Sequence, residues 1–149
     1  MSRFHLRSAR STDAGRTGTI LSGFIDDTEW MPRVHSRAQD LGFAADLIDR
    51  GWVTVAELEG EVVGFSARDM EVVHALYVSS DRRGAGCGSV LLGQMMSATD
   101  NLVLWTFQAN IRAQAFYLRH GFVELERTDG AGNDEGLPDM RLEWKRGMA

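Results

Sequence analysis

The chain has 149 residues, 44% hydrophobic and 25% charged, with only two prolines, which suffices for one sizeable core and excludes a disordered or fibrous chain. A formal net charge of −5 speaks against nucleic acid as a partner, since such proteins carry a basic face, and is compatible with a cationic substrate. The single cysteine permits no internal disulfide, and no apolar run opens the chain or approaches the roughly 18 residues of a membrane span, so a cytoplasmic protein with no membrane partner is expected.

No repeat, low-complexity stretch or linker divides the sequence, and residues 1–149 read as a single domain. "FHLRSA" alternates and fits a first strand. Thr12 or Asp13 can cap a helix carrying Ile20, Leu21, Phe24 and Ile25 at helical spacing. Pro32 interrupts, and Ser36 opens a second helix that ends before Gly51. The period then changes. "WVTVAELEGEVVGFSARDM" reads as a hairpin turning at "EGE", and "EVVHALYV" as a central strand. The apolar spacing of "SVLLGQMMSATD" fits a third helix, and "NLVLWTF" a further strand. "NIRAQAFYLRHGF" is a helix opened by Asn110 and closed by Gly121; "FVELERT" and "MRLEWK" finish the chain as strands. The order β-α-α-β-β-β-α-β-α-β-β makes an α/β (α+β) domain whose mixed sheet is flanked by helices.

Between the central strand and the third helix lies "RRGAGCGSVLL", with Gly84, Gly86 and Gly88 close together after Arg82 and Arg83. Strand, glycine turn and helix form an anion site: the first helical amides lack internal partners, and glycine removes the Cβ that would keep a phosphate away. The P-loop pattern fails for want of a lysine, and the dinucleotide fingerprint fails in spacing and in its late position. A tight turn without a ligand is the alternative reading.

The segment "LYVSSDRRGAGCGSVLL" resembles motif A of the GCN5-related N-acetyltransferase superfamily, through Arg83, Gly86 and Gly88 after a strand ending at Val78. Ser80 stands where that family often has proline. "NIRAQAFYLRHGF" is similar to the family's motif B, through Asn110, Phe116, Tyr117, Gly121 and Phe122. The resemblance implies a mostly antiparallel sheet and transfer of acetyl from acetyl-CoA to a primary amine, by direct attack through a tetrahedral intermediate. It further implies that the stretch Arg83, Gly84, Ala85, Gly86, Cys87, Gly88 and Ser89 holds the pyrophosphate. Leu76, Tyr77 and Val78 would pair with the pantetheine arm as an added strand, with the Leu76 amide donating to the thioester carbonyl. Asn110 would lie near the cofactor arm, and it also reads as a plain helix cap.

Tyr117 is the candidate general acid: a phenol with a reference pKa of ~10 keeps its proton at neutral pH and can protonate a leaving thiolate. The alternative is a helix residue packed on the sheet. His74 is the candidate base, placed two positions before Leu76 and so expected on the same face. "HALYV" resembles the corresponding strand of arylalkylamine acetyltransferases, but Val72 stands where those carry a second histidine, which leaves bound water as the alternative base. Glu71 should face away. Cys87 sits at a helix start, where thiol pKa values fall, yet the family's aliphatic preference there points to packing. For the acceptor, the resemblance points to "TEWMPRVHS" and "DGAGNDEGLPD": Trp30, Met31 and His35 would form a wall, while Asp134 or Glu135 could attract an ammonium group. Scattered histidines without cysteine pairs suggest no metal site. A small-molecule amine is the expected acceptor; a protein N-terminus or lysine, or a non-catalytic acyl-CoA sensor, are the alternatives. The resemblance also allows a homodimer.

Overall fold

The computed structural model describes residues 3–147. Strand β1 spans His5–Ser8, and after one 3₁₀ turn come helices α1 (Ala14–Asp27) and α2 (Arg37–Asp49). Strands β2 (Val53–Leu58), β3 (Glu61–Asp69) and β4 (Val72–Val78) follow. Then come α3 (Cys87–Ala98), β5 (Asn101–Phe107), α4 (Ile111–Arg119), β6 (Val123–Thr128) and β7 (Asp139–Lys145). Every element expected from periodicity is present, in the expected order.

Local chemistry sets the boundaries. Ser36 caps α2 by accepting from the Gln39 amide at 3.1 Å, and the Gln39 Oε1 in turn accepts from the Ser36 amide. Asp13 precedes α1 but does not cap it with its side chain. Its carboxylate instead takes both Arg7 guanidinium nitrogens, at 2.8 and 3.0 Å, tying β1 to the helix start. The β2–β3 turn places Glu59 and Gly60 both at positive φ, the geometry that suits the twist of a two-residue hairpin.

The sheet order is β1-β2-β3-β4-β5-β7-β6. Neighbours are antiparallel except β4 and β5, which run parallel and share a single register pair, Val72 with Val103. Helices α1 and α2 bury Ile20, Leu21, Leu47 and Ile48 against Val55, Phe65 and Ala75. On the other face, α3 and α4 bring Leu92, Met95 and Tyr117 against Leu102, Leu104 and Leu142. β3 passes close beneath the start of α3: a Cβ at Gly64 would lie 2.8 Å from the Cys87 sulfur.

Candidate active site

β4 and β5 part after their one pair, and the gap between them opens into a cavity of about 610 Å³. Val73–Val78 line one side; Leu104–Phe107 line the other; α4 contributes Phe116 and Tyr117. The cavity's remaining wall comes from the end of α1 and the loop after it: Phe24, Asp27, Thr28, Glu29, Trp30 and Met31. With no β5 ladder beyond Val72, the β5-facing edge of β4 meets this space instead of a strand.

A second cavity of about 530 Å³ lies over the glycine turn, lined by Arg82, Arg83, Gly84, Gly86, Cys87, Gly88, Ser89, Arg112, Ala115, Phe116, Arg119 and Val78. Four arginines and no carboxylate surround it, and the Arg82 Nε is buried without a hydrogen-bond partner among the described residues. Gly84 and Gly86 adopt φ of +80° and +92°, and a Cβ at either would project into open space. This turn therefore fits a polyanion: positive charge, free helical amides and bare backbone converge. The two cavities share Val78, Arg83, Gly88, Arg112 and Phe116, so one elongated ligand can reach from the turn into the β4–β5 gap.

Tyr117 is 8% exposed and lines the larger cavity. Burial, assisted by Tyr77, pushes its phenol well above the ordinary range, and its hydroxyl has no hydrogen-bond partner among the described residues. Tyr77 is pushed up to about 12, by burial first and then by the charges of Glu135 and Asp40. Asn110 caps α4, its Oδ1 accepting from the Ala113 amide at 3.1 Å, and it also borders the cavity. Cys87 is fully buried, and desolvation pushes its thiol up to about 11. The lowering expected from a helix start is outweighed, and packing is what this side chain does.

His74 corrects one expectation. Ala75 faces Ala67 and Val73 faces Arg68, so β4 bulges at His74, which has no opposite residue. Alternation breaks there: Ala75 and Tyr77 join the α1–α2 core, Val73 and Leu76 the α3–α4 core. His74 and Leu76 therefore do not share a face as simple alternation required. The imidazole stacks on Trp52 at 4.7 Å and 11°, with the Arg50 guanidinium 5.0 Å from the same indole. It still lines the cavity. Glu71 is exposed in the turn before β4 and does not line it.

Of the acceptor-side candidates, Trp30 and Met31 line the cavity, and Trp30 meets Phe107 edge-on at 5.8 Å. His35 and Glu135 do not line it. His35 instead reaches Asp134 at 3.3 Å and so links the two loops, while Glu135 acts on Tyr77 through its field. Residues that the sequence reading passed over include Asp27 and Glu29, the cavity's carboxylates, and Trp105 and Phe107. Arg112 and Arg119 were legible in principle, since a separation of seven residues puts both on one helical face.

Comparison with known proteins bears on this geometry. A family model described as "Acetyltransferase (GNAT) domain" matches residues 49–124. The chain belongs to the GNAT acetyltransferase family. It is 37% identical over 104 residues to the 5-NmdU N-acetyltransferase of Pseudomonas phage PaMx11, covering 64% of this chain and 71% of that protein. It is 31% identical over 127 residues to the peptidyl-lysine N-acetyltransferase YjaB of Salmonella typhimurium, covering 84% and 87%. The solution structure of apo-form YjaB from Escherichia coli superposes over 100% of both chains with a TM-score of 0.82 at 22% identity. The yncA structure from Salmonella typhimurium, solved with its cofactor acetyl-CoA, gives 0.74 at 20% identity, over 99% of this chain and 96% of that one. This GNAT chain is thus an N-acetyltransferase by family, with a mixed, mostly antiparallel sheet. Among its described residues no helix is long and apolar enough to cross a membrane.

Proposed function

We propose that this GNAT enzyme transfers the acetyl group of acetyl-CoA to a primary amine carried by a small, flat molecule. The observation that carries this reading is the pair of joined cavities: one rimmed by arginine, the other walled by Phe24, Trp30, Tyr77, Trp105 and Phe107, with Asp27 and Glu29 in its lining. The first suits a diphosphate. The second suits a planar body stacked on aromatic faces, with an ammonium group drawn to carboxylates.

Acetyl-CoA supplies the activated acyl group as a thioester. Arg83, Gly84, Ala85, Gly86, Cys87, Gly88 and Ser89 would hold its diphosphate through backbone amides and the arginine charge. Leu76, Tyr77 and Val78 would hold the arm by backbone pairing, with the Leu76 amide as oxyanion donor and Asn110 beside it. His74 takes the proton from the incoming ammonium, directly or through water. Tyr117 holds a proton at its hydroxyl oxygen for the departing thiolate.

The phage relative is named a 5-NmdU N-acetyltransferase, an activity on an acceptor other than a peptide lysine. A lysine side chain on a protein is the second reading, favoured by the relative named a peptidyl-lysine N-acetyltransferase. Free-thiol release from acetyl-CoA, measured over arylalkylamines, aminomethyl pyrimidines, polyamines, amino acids and lysine peptides, separates the two. Turnover concentrated on the planar amines is the expected outcome. Turnover on lysine peptides alone selects the second reading, and acetyl-CoA binding without release from any acceptor leaves a sensor.

A further inference from the structure

α4 ends beside the glycine turn, and there His120 makes two hydrogen bonds that fix its proton. Its Nδ1 lies 2.8 Å from the Phe116 carbonyl oxygen, which can only accept, so Nδ1 carries hydrogen. In the neutral ring Nε2 is then a bare lone pair. It lies 3.1 Å from the Ser89 Oγ, and the serine must therefore donate to it. Phe116 fixes the ring further by packing 4.5 Å from it. Ser89 stands in the first turn of α3 and lines the arginine-rimmed cavity.

We infer that His120 is a positioning residue that sets, by its own protonation, whether Ser89 can donate to an anion in that cavity. When His120 is neutral, the serine hydroxyl hydrogen points at Nε2, and only lone pairs face the cavity. When His120 takes up a proton, Nε2 becomes a donor, Ser89 accepts from it, and the serine hydrogen is free for a phosphate oxygen. No heavy atom has to move. The inference rests on the acetyl-CoA reading, since that is the anion the turn would hold.

The surroundings leave this relay in control of the local pH response. Arg82, Arg83, Arg112 and Arg119 line the cavity and stay charged throughout. Cys87 is the one titratable side chain on α3, and burial keeps its thiol protonated at neutral pH. From β7, Trp144 faces the adjoining Gly121, with Arg146 5.7 Å from that indole. Among the described residues no carboxylate lines this cavity.

A hydrogen bond to a charged group contributes enough for about a tenfold change in affinity. Dephospho-CoA is the probe of choice, because its diphosphate keeps a fixed charge where the monoester of CoA would titrate near ~6. Calorimetric titrations from about pH 5.5 to about pH 8.5 should show its Kd rising about tenfold with pH. Binding near neutral pH should be accompanied by proton uptake, read from two buffers of different ionisation enthalpy. His120→Gln, whose amide can donate to Ser89 at every pH, and Ser89→Ala should both give flat profiles without that uptake. A wild-type slope kept by Ser89→Ala would overturn the relay, because the imidazolium would then act by its charge alone, while leaving acetyl-CoA binding intact. Nitrogen NMR of the unliganded protein gives an independent check: a neutral His120 ring protonated at Nε2 would also overturn it. If neither CoA nor dephospho-CoA binds at any pH, the acetyl-CoA reading fails and takes the relay with it.

Discussion

Burial penalises the Tyr117 phenolate, so in the proposed reaction the residue would arrive with its proton in place. Tyr117→Phe keeps the ring against Phe116 and Phe122 and removes only the donor, so kcat should fall about 10²-fold with little change in acetyl-CoA KM. Steady-state kinetics of the variant check this. Cys87 is pushed up by the same cause, with a consequence for stability instead of chemistry. Its folded value, about 11, lies above the ordinary 9.0, so the folded state holds a proton that the unfolded chain releases. That contribution is complete below pH 9 and is lost as pH rises toward about 11, to the extent of about 2 kcal/mol. Cys87→Ala should therefore show a shallower alkaline decline in urea midpoint than wild type, from a lower starting stability at pH 7. At this scale the sequence marks the reactive candidates by type and position. It does not mark which of them is desolvated, because that depends on residues distant in the chain.

The bulge in β4 and the contact between β3 and α3 belong to the scale of elements. Gly64 lies inside β3, where nothing about its neighbours demands glycine. The demand comes from across the sheet: a Cβ there would lie 2.8 Å from the Cys87 sulfur and 3.1 Å from the Tyr77 carbonyl oxygen. Gly64→Ala should cost about 1–3 kcal/mol and lower Tm by about 5 °C. Adding Cys87→Ala should recover part of the loss, which thermal unfolding of the single and double variants would show. The elements themselves were readable, since apolar, β-branched runs and the "EGE" turn marked β2 to β5, and Asn110 and Gly121 marked the ends of α4. The displacement of His74 to the Trp52 side was not. A bulge is a property of two strands in register, and "EVVHALYV" alone carries no sign of which residue β3 will leave unmatched.

For the molecule as a whole, the deciding feature is the single pair that joins β1–β4 to β5–β7–β6. "NLVLWTF" and "EVVHALYV" are each good strands, and a sequence of good strands gives no warning that two of them will separate along most of their length. Bound CoA would lie in that gap, so it should act as a splice between two half-built sheets. At a hundredfold excess over Kd it adds about 2.7 kcal/mol to folding, and the gain should spread to both sides. Hydrogen exchange should slow in β4 and in β5 together; slowing confined to β4 would show that the halves are already one cooperative unit. The empty protein is then the form most open to proteases. Its lifetime, as well as its turnover, would follow the supply of its acyl donor.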